Sequence, residues 1–258
     1  MTSQTPIVEL IGITKSFGPV DVLKGIDFKV YAGRVTALVG DNGAGKSTLI
    51  KGLAGVQEYD HGVVKFEGEQ VHLPSARAAA ALGIEVVYQD LALCENLDIV
   101  QNMFLGREEV FRGTLNESSM EKKASETLAG LSVRTVKSVR QKVERLSGGQ
   151  RQAVAVARAA AFGQKVIILD EPTAALGVRE SRQVLKLIES LRERGMPVIL
   201  ISHNMPQVFE VADRIQVQRL GKRAAVVTPK SHTMNDVVAI MTGAMTVDKK
   251  DQALSPVR

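Results

Sequence analysis

The stretch Gly40-Asp-Asn-Gly-Ala-Gly-Lys-Ser47 has the spacing G-x-x-x-x-G-K-S, the pattern of a phosphate-binding loop. An apolar, β-prone run, Arg34 to Val39, leads into it, and a helix-like segment, Thr48 to Leu53, leads out. Strand, glycine loop and helix form the context this pattern needs. Glycines let the backbone curl so that successive N–H groups converge on phosphate oxygens. The helix N-terminus adds partial positive charge at the same place. Lys46 is then placed to reach the β and γ phosphates of a nucleotide, and the Ser47 hydroxyl to ligate Mg²⁺. The cradle comprises Gly40, Asp41, Asn42, Gly43, Ala44, Gly45, Lys46, Ser47 and Thr48.

Outward from this loop the chain alternates strands and helices. Upstream, strands are expected at Ile7 to Ile11, Gly25 to Val30 and Val35 to Val39, with turns at Gly18-Pro19 and Ala32-Gly33. Downstream come a strand from Val63 to Glu67 and a helix capped by Ser75 and stopped at Gly83. A strand from Ile84 to Tyr88 delivers Gln89 at its end. Residues 91–146 read as helices joined by loops, among them Ile99 to Leu105 and Glu117 to Leu131. Val166 to Leu169 and Val198 to Ile201 are continuous apolar runs, the mark of central strands in a parallel sheet covered on both faces. Between them, Arg179 to Arg194 carries a helical stripe of Val184, Leu187, Ile188 and Leu191. The expectation is a mostly parallel α/β core with a helical insertion at about 90–160 and a polar tail at 244–258. Active groups should gather beyond the carboxyl ends of the strands.

Three further segments deliver polar groups there. Val166-Ile-Ile-Leu-Asp-Glu171 is a buried strand ending in two carboxylates. Asp170 would hold the metal, through water, and Glu171 could accept a proton from attacking water. Strand alternation is the expected reason that the two carboxylates diverge. His203, after the run ending at Ile201, is placed to contact a γ-phosphate, and Gln89 to sense Mg²⁺ or the nucleophilic water. Leu146-Ser-Gly-Gly-Gln150 resembles a helix start with Ser147 as cap and exposed N–H groups, a second anion-binding element about a hundred residues from the first.

Composition narrows the classes. With 45% hydrophobic and 24% charged residues the chain is an ordinary globular protein. Aromatic residues make up 4% and Trp is absent, which disfavours nucleic-acid binding through base stacking. The net charge of +5 is spread along the chain, consistent with a solvated surface, with phosphate ligands or an anionic membrane face as the other readings. Cys94 is the only cysteine and reads as a small packed side chain, which excludes an internal disulfide and fits a reducing compartment. The N-terminus has no signal-peptide core, and no run is long and apolar enough to span a bilayer.

Taken together these residues resemble the ATP-binding subunits of ATP-binding-cassette (ABC) transporters. The motif order matches: Walker A at Gly40–Ser47, Q-loop Gln89, signature Leu146–Gln150, Walker B ending at Asp170, then Glu171 and the switch His203. Phe17, in Lys15-Ser-Phe-Gly18, matches the aromatic that stacks on adenine. The resemblance spans about residues 7–243. It implies an α/β P-loop NTPase of the ABC-ATPase fold, with a RecA-like core, an antiparallel β subdomain and an α-helical subdomain. It implies catalytic roles for Glu171, His203, Gln89 and Lys46, and metal contacts from Ser47, Gln89 and Asp170. Two copies are expected head to tail, each ATP held between one P-loop and Ser147, Gly148, Gly149 and Gln150 of the second copy.

The narrower resemblance is to monosaccharide importers, through Ser75-Ala-Arg-Ala-Ala79, Gln89-Asp-Leu-Ala-Leu93 and Asn102-Met-Phe-Leu-Gly-Arg-Glu108. Single-cassette length and Ala174-Ala-Leu-Gly177 resemble the fructose-type import ATPases. This implies a homodimer at the cytoplasmic face of the inner membrane, a separate permease, a periplasmic sugar-binding protein and no nucleic-acid partner. A non-transport cassette of translation or repair is the alternative; those usually carry two cassettes or long coiled-coil insertions. One departure stands out: Gly177 occupies the position where the family usually has an aspartate that contacts the opposite P-loop.

Overall fold

The computed structural model describes residues 5–131, 133 and 136–247. The chain opens with β1 (Val8–Phe17), β2 (Val20–Val30) and β3 (Val35–Gly40), then α1 (Lys46–Leu53), β4 (His61–Phe66), β5 (Glu69–Val71), α2 (Ala76–Ala81) and β6 (Ile84–Val87). The middle holds α3 (Ile99–Phe104), a short hairpin of β7 (Val110–Phe111) and β8 (Thr114–Leu115), α4 (Glu117–Gly130) and α5 (Gly148–Phe162). The last part alternates β9 (Val166–Asp170), α6 (Val178–Glu193), β10 (Val198–Ile201), α7 (Met205–Val211), β11 (Arg214–Arg219), β12 (Lys222–Val227) and α8 (Met234–Thr242).

Two sheets carry the molecule. The larger has the order β12-β11-β3-β10-β9-β6, parallel except for the antiparallel β11–β12 edge. Its central strands alternate between two cores. Ala37, Val39, Ile167, Leu169, Val198 and Leu200 face one, with α5 and α6 residues. Leu38, Ile168, Ile199 and Ile201 face the other, with α1 and the four-stranded antiparallel sheet β2-β1-β4-β5. A period of two with both faces apolar produces the continuous Val/Ile/Leu runs. The α6 stripe of Val184, Leu187, Ile188 and Leu191 is buried in the first core, as its spacing predicts.

The sheets differ from the sequence expectation where glycine misleads. β1 continues past Ile11 to Phe17, and β2 begins at Val20 rather than Gly25. Gly12 (φ 61°) and Gly25 (φ 79°) lie inside these strands, beside shifts of register between Leu10 and Thr14. They mark bulges, not strand ends. The insertion is not wholly helical either. The β7–β8 hairpin turns at Arg112 (φ 52°) and Gly113 (φ 84°), two consecutive left-handed residues of the kind that closes a tight hairpin. Part of the expected tail, residues 248–258, lies outside the described residues.

Candidate nucleotide site

Register places the site. Gly40 ends β3, opposite Gln218 of β11, while Ile201 of β10 stands between Leu38 and Asp170. Leu169 of β9 is opposite Val87 of β6, so the chain leaves toward Gln89 on the same edge. Residues as far apart as Gly40 and Gln218 therefore share one carboxyl edge of the parallel sheet.

The loop after β3 is shaped by glycines that nothing larger could replace. Gly40 has φ 156°, and a Cβ there would collide with the Gln218 carbonyl. A Cβ on Gly45 (φ 91°) would lie 2.8 Å from Leu23 Cδ2 and 2.9 Å from the Val22 carbonyl oxygen. The loop is thus wedged between β2 and β11. α1 begins at Lys46 from Gly45, with no side-chain cap on its first turn. Ser75, Asp98, Asn116, Ser147, Asn204 and Thr233 cap the starts of six other helices with their own oxygens. The uncapped first turn of α1 leaves its N–H groups for an anionic ligand. In this state Lys46 Nζ donates to the carbonyls of Gly40 (2.8 Å) and Asp41 (3.0 Å), so the ammonium is folded over the loop mouth. Burial lowers its pKa, and Glu171, Asp41 and Asp170 oppose that shift by attraction.

Asp170 closes β9 half-buried. Burial and the neighbouring Glu171 raise its carboxyl above the ordinary range, against attraction from Lys46 and Lys51. Glu171 corrects one expectation. It diverges from Asp170 not by strand alternation but because the strand has ended: its φ is 48°, left-handed, and its N–H bonds to Ile201 O at 2.9 Å. That turn aims its carboxylate at His203, with Oε1 2.8 Å from Nδ1. The imidazole is largely exposed (side chain 74%) and the carboxylate is mostly covered (15%). A left-handed non-glycine residue stores strain, and such strain concentrates at working sites. Gln89 is exposed beyond β6. Tyr88, before it, has its phenol pKa raised by burial and by Asp170, which puts the β6 exit beside the carboxylates.

The signature segment forms the helix start that its sequence predicts. Ser147 and Gln150 make a reciprocal capping box, Gln150 N to Ser147 Oγ at 3.4 Å and Ser147 N to Gln150 Oε1 at 2.9 Å. Its neighbours are the segment after β9: a Cβ on Gly148 would meet Leu176 Cδ2 at 3.1 Å, and one on Gly149 would meet Glu180 Cβ at 2.9 Å. The structure therefore gathers Lys46, Asp170, Glu171 and His203, and packs Gly148 and Gly149 on Leu176 and Glu180 instead. Phe17 is half-exposed near the tip of the β1–β2 hairpin, with Lys15 Nζ 5.7 Å from its ring centre. Val22 and Leu23 of the same hairpin contact the P-loop.

Some supporting residues escaped the sequence reading. Arg158 of α5 donates to the carbonyls of Leu91 (2.8 Å) and Ala92 (2.9 Å), holding the chain just after Gln89. A lone arginine within the apolar run Ala153 to Ala161 was its only signal. Tyr59, with its ring packed on Gly52, donates to Leu49 O and braces α1 from behind.

A strand, glycine loop and helix bearing a lysine, set against two carboxylates and a histidine on neighbouring strand ends, define a P-loop nucleotide triphosphatase. Residues 23–174 match the family described as ABC transporter. Across 250 residues the chain is 53% identical to the fructose import ATP-binding protein FrcA of Rhizobium meliloti, covering 94% of this chain and 96% of that one. It is 45% identical to the xylose/arabinose import ATP-binding protein XylG of Sulfolobus acidocaldarius, over 92% and 94% of the two chains. Among solved structures it is similar to the ADP conformation of an ATP-binding cassette of an ABC transporter, with TM-score 0.77 and 25% identity over 96% of this chain and 97% of that one. The chain belongs to the ABC transporter family and is one of its nucleotide-binding ATPases. No helix among the described residues is long and apolar enough to cross a membrane.

Proposed function

We propose that the chain is the ATP-hydrolysing subunit of a monosaccharide importer, working at the cytoplasmic face of the inner membrane through a separate permease supplied by a periplasmic sugar-binding protein. Likeness to FrcA over nearly the full length of both chains supports a fructose-type sugar as cargo. Residues 7–243 form the nucleotide-binding unit, and 90–160 the helical subdomain that passes motion to the permease.

ATP enters the cradle from Gly40 to Thr48 with adenine on Phe17. Lys46 exchanges its carbonyl partners for β- and γ-phosphate oxygens. Its partial desolvation strengthens that contact. Ser47 and Asp170, with Gln89 near, are the oxygen donors suited to Mg²⁺, and their hydroxyl, carboxylate and amide chemistry fits that hard cation. Mg²⁺ supplies charge neutralisation across the phosphates when bound. Glu171 accepts the proton of the attacking water, and His203 holds the carboxylate in position and reaches the γ-phosphate. Ser147, Gly148, Gly149 and Gln150 form a capped helix start packed beside Leu176 and Glu180, and we propose a head-to-tail pair in which each signature helix closes on the other copy's ATP.

The observation that carries this reading is the Glu171–His203 contact at 2.8 Å on the rim that also bears Lys46. The test is Glu171→Gln. ATP binding should persist while phosphate release slows by at least about 10²-fold, the loss expected for a general base. Turnover within a few-fold of wild type would remove Glu171 from the role.

A further inference from the structure

A cleft of about 510 Å³ lies outside the nucleotide site, between the β11–β12 turn, β2 and the end of α8. Lys24, Arg219, Lys222 and Arg223 line it, and among the described residues no aspartate or glutamate does. Arg223 is partly engaged by Asp27 at 3.5 Å. Among the described residues no carboxylate pairs with Lys24, Arg219 or Lys222. Arg219 extends to the end of α8. Its guanidinium lies directly over the Gly243 backbone, where any Cβ would collide with it. The remaining wall is apolar, from Ile240, Met245 and Leu220. Leu220 is 68% exposed at φ 48°, a left-handed conformation that a branched side chain adopts only under constraint. That constraint is visible next door. A Cβ on Gly221 would lie 2.5 Å from the Val22 carbonyl oxygen, and Lys24 N donates to Gly221 O at 2.8 Å.

We infer that this cleft is a binding site for a small phosphate ester, with Lys24, Arg219 and Lys222 on the phosphate and the Leu220–Met245 wall against its organic body. Several cations converging, with no carboxylate among the described lining residues, raise the local potential for an anion. The Arg219 guanidinium presents a planar fork of donors that matches phosphate geometry. The volume suits a small ligand rather than a polymer. The site is also mechanically continuous with the P-loop. The Val22 carbonyl is packed between Gly221 of the cleft and Gly45 of the loop. Occupancy therefore bears on the wall of the nucleotide cradle.

The same chemistry could come from a soluble sugar phosphate or from a phospholipid headgroup, and the experiment separates them. The full chain is saturated with Mg·ADP, so that the P-loop is filled, and titrated calorimetrically with a hexose 6-phosphate, with the unphosphorylated hexose as control. In parallel it is sedimented with vesicles of phosphatidylcholine with and without phosphatidylglycerol. The inference expects binding of the phosphorylated probe or of the anionic vesicles, weakened about tenfold or more in Lys24→Gln/Lys222→Gln, as removal of two charge-assisted contacts requires. These lysines are exposed, so folding is checked simply by an unchanged melting temperature, and basal ATP turnover is expected to stay at the wild-type level. Binding of the hexose phosphate alone assigns a soluble ligand; binding of anionic vesicles alone assigns a headgroup. Absence of both, or equal binding by the double variant, overturns the site.

Discussion

At the scale of single residues, the nucleotide site holds charges that are uncomfortable without their ligand. Asp170 shows this with a definite sign. Its carboxyl pKa is raised in the folded chain, first by burial and then by Glu171. Between the ordinary carboxylate pKa and this raised one, the folded state holds more protons than the unfolded state. Stability contributed by this group therefore falls as pH rises through that window. Asp170→Asn should remove the penalty. Without nucleotide, the variant should melt higher than wild type at pH 7, on the order of 1–2 °C because the group is partly solvated. The gap should close on acidification below the carboxylate range. Calorimetric scans across pH check this, and parallel curves for the two proteins would contradict it. Lys46 attracts Asp170 and opposes the effect, but burial is the larger influence.

At the scale of elements, the loop between β6 and α3 depends on one buried amide. Asn102 is fully buried on α3. Its Nδ2 donates to the carbonyls of Cys94 (2.9 Å), Asp98 (2.9 Å) and Leu97 (3.3 Å), and its Oδ1 accepts from Cys94 N (2.7 Å). Arg158 holds the preceding carbonyls of the same loop. Asn102→Leu keeps the volume but leaves the Cys94 N–H without its acceptor, while the three carbonyls keep the backbone donors Leu97 N, Val143 N and Asn102 N. The expected cost is about 1–3 kcal/mol, from one buried donor left unpaired. The urea midpoint should fall with an unchanged m-value. A midpoint within error of wild type would show that the loop is organised by other contacts. This loop carries Gln89 at its start, so the variant should also weaken any coupling of ATP turnover to the permease.

At the scale of the whole molecule, Gly177 is the informative departure. It caps α6 at φ −68° and ψ 166°, an extended conformation open to any residue, and its N–H donates to Glu180 Oε2 at 3.3 Å. The nearest atom to an added Cβ would be Glu180 Oε2 at 3.7 Å, so an aspartate fits. Gly177→Asp restores the carboxylate usual in the family. Its expected effect is a change of about two-fold or more in ATP turnover when the permease is present, with the melting temperature kept within a few degrees because aspartate is a favourable helix cap. Turnover unchanged from wild type both with and without permease would show that this position plays no part in coupling.

The P-loop, the strand ends and the signature helix were legible because each is written in consecutive residues: an apolar run, a glycine spacing, a cap and its partner three residues on. Backbone geometry and local hydrogen bonding follow from such neighbours directly. The bulged strands were not legible, because Gly12 and Gly25 look like punctuation until a paired strand shows them to be inside a ladder. The left-handed turn at Glu171 was likewise hidden, since its N–H is held by the Ile201 carbonyl of the adjacent strand and its carboxylate by His203. The clamp of Arg158 on Leu91 and Ala92, the packing of Gln218 behind Gly40, and the basic cleft built from β2, β11, β12 and α8 join residues far apart in the chain. Sheet register brings them together, and register is a property of the packed molecule that no single segment carries.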